Sequence, residues 1–159
     1  MPNAIELRAR EPVASCLIRK LIVPRIYFEA EWPLGSGATV DVLAIDRDGS
    51  GDAHVVVVRE RAGDALATVP DLLGQPGPFR WIAFMRGTED DAAGQALVAQ
   101  EVLYARGTAG RVGVIEVVTM ESGTLGANIR ISAERFPGAF YDVATAFSGS
   151  HKADIQFGG

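Results

Sequence analysis

The stretch from Ala38 to Glu60, ATVDVLAIDRDGSGDAHVVVVRE, limits the possible folds more than any other part of the chain. Two β-branched runs, Thr39–Ile45 and Ala53–Arg59, flank an Asp48-Gly49 step, and that pattern predicts an antiparallel hairpin. The second run carries four consecutive valines, Val55–Val58, as expected of a strand covered on both faces. The hairpin is therefore expected inside a central sheet rather than at an open surface. Within it stands one acid, Asp41, and a carboxylate among apolar strand residues is costly to bury unless a cation or donors meet it.

The rest of the pattern surrounds this hairpin with both helices and strands. Ala4–Ala9 alternates apolar and polar residues, suggesting a short strand or an irregular lead-in. Pro12 suits the first turn of a helix, and Val13, Cys16, Leu17 and Leu21 continue at helical spacing until Pro24 stops it. Arg25–Trp32 reads as a strand, followed by a turn containing Pro33, Gly35 and Gly37. Asp64–Leu73 reads as a short helix broken or kinked by Pro70, and Phe79–Met85 as an aromatic-rich strand. Thr88 with Glu89, Asp90 and Asp91 opens a helix over Ala92–Ala105. Val112–Met120 is a buried strand, Leu125–Ala133 another, and Phe140–Phe147 and Ala153–Phe157 are shorter ones. Helices and strands mixed in this way predict an α/β or α+β sandwich.

At 159 residues the chain is expected to be one domain, 1–159, with a core over about 11–120 and a C-terminal β-extension over about 121–159. No apolar run approaches the length of a membrane span, and Glu6, Arg8, Arg10 and Glu11 exclude the apolar centre of a signal peptide. A cytoplasmic protein is the expectation. The net charge of −5 disfavours non-specific nucleic-acid binding, which depends on counterion release by many cations. Residues 1–25 run the other way, with Arg8, Arg10, Arg19, Lys20 and Arg25 against Glu6 and Glu11. Cys16 is the only cysteine, so no internal disulfide or cysteine metal site exists, and its apolar neighbours predict a small buried side chain.

Three phrases bear on chemistry: Glu31-Trp32-Pro33-Leu34-Gly35, then Val40-Asp41-Val42-Leu43-Ala44-Ile45-Asp46, then Val55-Val56-Val57-Val58-Arg59-Glu60. With the order helix, three-strand meander, helix, strand, they resemble the core of the PD-(D/E)XK, or restriction-endonuclease-like, nucleases from Val13 to Met120. Val112-Gly113-Val114 resembles the glycine-bearing strand that closes that core. The resemblance implies an α/β three-layer core with a mixed central sheet. It also implies a metal site in which two or three carboxylates hold Mg²⁺ beside a scissile phosphate and a lysine assists. Carried onto this chain, Asp41 takes the place of the strand acid and Glu31, or alternatively Glu29, that of the upstream acid. The acid and lysine of the final motif fall at Val57 and Arg59. Valine cannot ligate a metal, and arginine keeps the charge without lysine's chemistry.

The expectation is thus a catalytically degenerate nuclease-like module, with Glu31, Asp41 and Arg59 as vestigial site residues. It would have no cofactor and would act through a protein partner or self-association. Asp41 would then meet Arg59 instead of a metal. The alternative is an active Mg²⁺-dependent nuclease using Glu31, Asp41 and Glu60 or a migrated ligand, with Asp41 and Glu31 on the metal and Lys20 as a displaced lysine. In that register Glu60 changes face.

Other motifs have simpler readings. Asp46–Asp52 resembles the front of a calcium loop, but Val57 occupies the closing glutamate's position, so a hairpin turn is expected. His54 and His151 lack metal-ligand spacing, and His54 reads as a polar strand end. Phe79, Trp81 and Phe84 could stack on bases, but on a strand they are expected in the core.

Overall fold

The computed structural model describes residues 3–20, 25–31, 39–45, 52–73, 78–85 and 111–136. Their elements are α1 (Ala4–Lys20), β1 (Arg25–Glu31), β2 (Thr39–Ile45), β3 (Ala53–Arg59), α2 (Ala62–Ala67), α3 (Val69–Leu73), β4 (Phe79–Met85), β5 (Gly113–Thr119) and β6 (Leu125–Ile131). The six strands form one mixed sheet in the order β1-β2-β3-β4-β5-β6. β1, β2 and β3 form an antiparallel meander, β4 and β5 join in parallel, and β6 returns antiparallel to β5.

The predicted hairpin is present, with Val42 opposite Val56 and Ile45 opposite Ala53. Strand alternation sends its side chains to two separate cores. On one face Leu43, Ile45 and Val55 pack with Ala62, Ala65, Val69 and Leu72 of α2 and α3, together with Ile82 and Phe84. On the other, Val42, Ala44, Val56 and Val58 pack with Val13, Ala14 and Leu17 of α1, together with Trp81 and Ile115. The valine-rich β3 is covered on both faces, which explains its composition. Among the described residues no helix is long and apolar enough to cross a membrane.

The N-terminus corrects the sequence reading. Residues 4–9 are neither a strand nor a lead-in; they are the first turns of α1, and Pro12 lies inside that helix. The cause is a capping box. Asn3 Oδ1 accepts from the Glu6 N–H at 2.8 Å, and Glu6 Oε1 accepts from the Asn3 N–H at 3.0 Å. This reciprocal pair starts the helix eight residues ahead of the proline, which then costs it one hydrogen bond to the Arg8 carbonyl. Pro70 has a milder effect, since it is the second residue of α3, which follows directly on α2.

At β5, Gly113 lies opposite Trp81 of β4. A Cβ at that position would sit 2.2 Å from the indole Cε3, so only glycine lets the two strands approach over the ring. The expected helix over Ala92–Ala105 and the expected strands Phe140–Phe147 and Ala153–Phe157 lie outside the described residues, as does most of the Asp46–Asp52 turn.

Candidate functional site

The polar centre of the molecule forms where β2 and β3 part. Backbone pairing between them runs from Ile45–Ala53 to Val42–Val56. One residue further along β2 is Asp41, and its side chain replaces the missing strand. Oδ2 accepts the Val58 N–H at 2.7 Å and Arg59 Nη1 at 2.9 Å. Oδ1 accepts Arg10 Nη2 at 3.0 Å. A carboxylate bonded by a backbone donor and two guanidinium groups is fully compensated at low exposure; Asp41 is 17% exposed.

Arg10 reaches this point from α1. Its side chain is only 7% exposed, and its other terminal nitrogen, Nη1, donates to Glu29 Oε1 at 2.9 Å. One guanidinium thus bridges acids on two neighbouring strands, the fork geometry for which arginine is suited. Glu29 adopts φ +52°, the only non-glycine residue with positive φ among those described. A left-handed residue within a strand costs roughly 1–2 kcal/mol. The pairs on either side, Phe28–Val42 and Ala30–Val40, keep their register. The distortion extends to the facing strand, where Val40 packs on the face of Leu43 and Ile45 while Val42 packs on the other, so the alternation slips at Asp41.

A second carboxylate serves the same strand edge. Glu6 Oε2 accepts the Glu60 N–H at 2.7 Å, and Asn3 Nδ2 donates to Glu60 Oε2 at 2.7 Å. Consequently Asp41 and Glu6 take the N–H groups of Val58 and Glu60, which β2 no longer reaches. The helix cap and the sheet edge are joined through one side chain.

The structure pairs Asp41 with Arg59, as expected, and links Asp41 to Glu29, the alternative upstream acid, through Arg10. It adds Arg10 and Glu6, which the sequence reading missed. The signal was present: Glu6, Arg10, Val13 and Leu17 form one stripe at helical spacing, all buried, but it is visible only if the helix begins at residue 4. Glu31 is at the last position of β1, opposite Thr39; its side chain lies outside the described residues. Glu60 is engaged by Asn3, not by Asp41. Lys20 is not a displaced partner of Asp41. It ends α1, about 15 Å along the helix from Arg10, and its Nζ donates to Ser132 Oγ at 3.1 Å. Val57 is half-buried against the α2–α3 core. Among the described residues no group of three or more His, Cys, Asp or Glu side chains could hold a metal ion.

The remaining candidates belong to the core. Trp81 and Phe84 are fully buried. His54, the second residue of β3, is buried too: its ring stacks on Phe79 at 4.3 Å and its Nδ1 accepts from Trp81 Nε1 at 3.1 Å. Desolvation, then the charges of Lys20 and Arg135, lower its pKa to about 3, so the ring is neutral. Cys16 is buried, and burial raises its thiol pKa against the opposing influence of Arg19. Such a thiol is a poor nucleophile.

Comparison with protein-family models, with characterised proteins and with solved structures returns no match to this chain.

Proposed function

We propose that this domain is a catalytically degenerate restriction-endonuclease-like module that acts in binding or assembly. The observation that carries the reading is the occupancy of Asp41. Both of its oxygens are bonded, to Arg10, Arg59 and the Val58 N–H. Mg²⁺ needs carboxylate oxygens at about 2.0–2.1 Å in octahedral geometry. Three of the roughly four acceptor sites of Asp41 are taken, two of them by guanidinium groups whose charge opposes a further cation at the same carboxylate. The residue opposite Asp41 on continuing the hairpin register is Val57, which contributes no ligand.

The fold supports the same reading. A leading helix on one face, a three-strand antiparallel meander, helices on the other face and a strand parallel to the third are the parts the resemblance implies. In this reading Asp41 and Arg59 keep a polar pair at the old site position, and Arg10 closes it with the cationic charge a metal would have supplied.

Incubation of the purified protein with single- and double-stranded DNA and RNA, in Mg²⁺ and then Mn²⁺, tests the proposal. No cleavage above that of the Asp41→Ala variant is expected. Cleavage by the wild-type protein that disappears in Asp41→Ala would establish the Mg²⁺-dependent nuclease using Glu31, Asp41 and Glu60 instead.

A further inference from the structure

An open groove of about 730 Å³ runs along the outer side of α1, between that helix and the start of β6. Arg8, Glu11 and Arg19 follow one another along its helical wall, and Leu7, Phe28 and Leu125 supply apolar surface. Arg10, whose two terminal nitrogens are engaged by Glu29 and Asp41, also lines it. The two other arginines are differently placed. Arg19 Nη2 donates to the Ala127 carbonyl at 3.1 Å. Arg8 is exposed and makes no ion pair among the described residues. In a chain of net charge −5, this groove therefore presents two guanidinium groups that no described carboxylate neutralises. Leu7, 46% exposed, is one of two large hydrophobic side chains among the described residues that face solvent.

We propose that this groove binds an extended acidic peptide segment of a partner protein. The inference rests on the reading of the domain as a binding module and names the chemistry of its partner. Arg8 and Arg19 are eleven residues apart on one helix, or about 16 Å. An extended chain covers that distance in about five residues at 3.3–3.4 Å each. Acidic residues at the two ends of such a segment meet the two arginines. Apolar residues between them cover Leu7, Phe28 and Leu125, and a basic residue in the middle meets Glu11. A nucleic-acid strand fits less well. Its backbone is charged at every nucleotide, so a phosphate lying between the two arginines would be set against Glu11. The apolar wall would gain nothing from it.

The test uses the full chain and a fluorescein-labelled heptapeptide with two aspartates at each end around a leucine–lysine–leucine centre, followed by fluorescence anisotropy at low salt. Saturable binding is expected at about 10–100 µM, weakened about ten-fold by Arg8→Glu and by Arg19→Glu. The same peptide with lysines for aspartates should not bind. Arg8→Glu alters an exposed side chain, and an unchanged melting temperature for that variant keeps the binding readout separate from folding. No saturation up to about 1 mM, or binding that both variants leave unchanged, overturns the proposal. So does tighter binding of a labelled oligothymidylate that both variants abolish, which would assign the groove to nucleic acid. Peptide binding is read without divalent metal and cleavage with it. A failed peptide result beside absent cleavage thus removes this inference alone, while metal-dependent cleavage removes the module reading.

Discussion

At Asp41 one carboxylate meets three donors, and the three do not contribute equally. Arg59 is 36% exposed, so water replaces much of what its loss removes, and Arg59→Ala is expected to cost at most about 1 kcal/mol. Arg10 is buried and holds two acids, so Arg10→Ala leaves Asp41 half-compensated inside the protein and should cost about 3 kcal/mol. Asp41→Ala strands Arg10 and the Val58 N–H together and should cost about as much. Urea unfolding of the three variants gives the ranking; an Arg59→Ala loss larger than that of Arg10→Ala would show that the cluster is held from the solvent side. His54 provides a second residue-scale expectation. Its pKa is about 3 in the fold against an ordinary value of 6.5, so below pH 6.5 the unfolded chain takes up a proton that the folded one refuses. Its stabilising contribution is complete above pH 6.5 and declines as pH falls toward 3, at up to about 1.4 kcal/mol per pH unit. Unfolding free energies of wild type and His54→Phe at pH 7 and pH 5 check this: the wild-type loss should exceed that of the variant by roughly 2 kcal/mol.

Element by element, strand periodicity predicted more than helix periodicity did. The bounds of β2, β3 and β4 match the sequence reading, because β-branched and aromatic runs bounded by turn residues admit few alternatives. α1 was misread because its first turns alternate apolar and polar residues as a strand does, and because proline at position 12 suggests a start. The Asn3–Glu6 cap outweighs both signals. Packing between elements is sharpest at the β4–β5 contact. Gly113→Ala would push a methyl group into the Trp81 ring, and neither a buried indole nor the backbone of a central strand can readily retreat. A loss of about 3 kcal/mol is expected, read as a lowered urea midpoint. A variant as stable as wild type would mean that β4 and β5 can separate without penalty.

For the whole molecule, the engagement of Asp41 by two arginines bears on ligand-linked stability. A metal that binds only the folded state raises the melting temperature by mass action. If the arginines hold Asp41, about 10 mM Mg²⁺ or Mn²⁺ should raise it by less than about 2 °C beyond a NaCl control of equal ionic strength. A larger rise that vanishes in Asp41→Ala would place a metal at this carboxylate. The same comparison in Ca²⁺ bears on the Asp46–Asp52 turn, where Val57 stands in place of the closing carboxylate and no stabilisation is expected.

By itself the amino-acid order determined the hairpin, the two-sided burial of its valine strand, the mixed α/β class and the need of Asp41 for a cationic partner. These follow from interactions that are local along the chain: side-chain alternation, turn chemistry and the cost of an uncompensated carboxylate. Arg59 was legible as that partner through the resemblance, which sets it at the lysine position of the final motif. Arg10 was not. It is 31 residues away in sequence, and only the packing of α1 across the sheet brings its guanidinium between Asp41 and Glu29. The positive φ of Glu29 and the Glu6 bond to the Glu60 amide depend on the same docking. Tertiary structure decided which charges met, because a buried ion pair is set by where two elements cross, and no local spacing records that crossing.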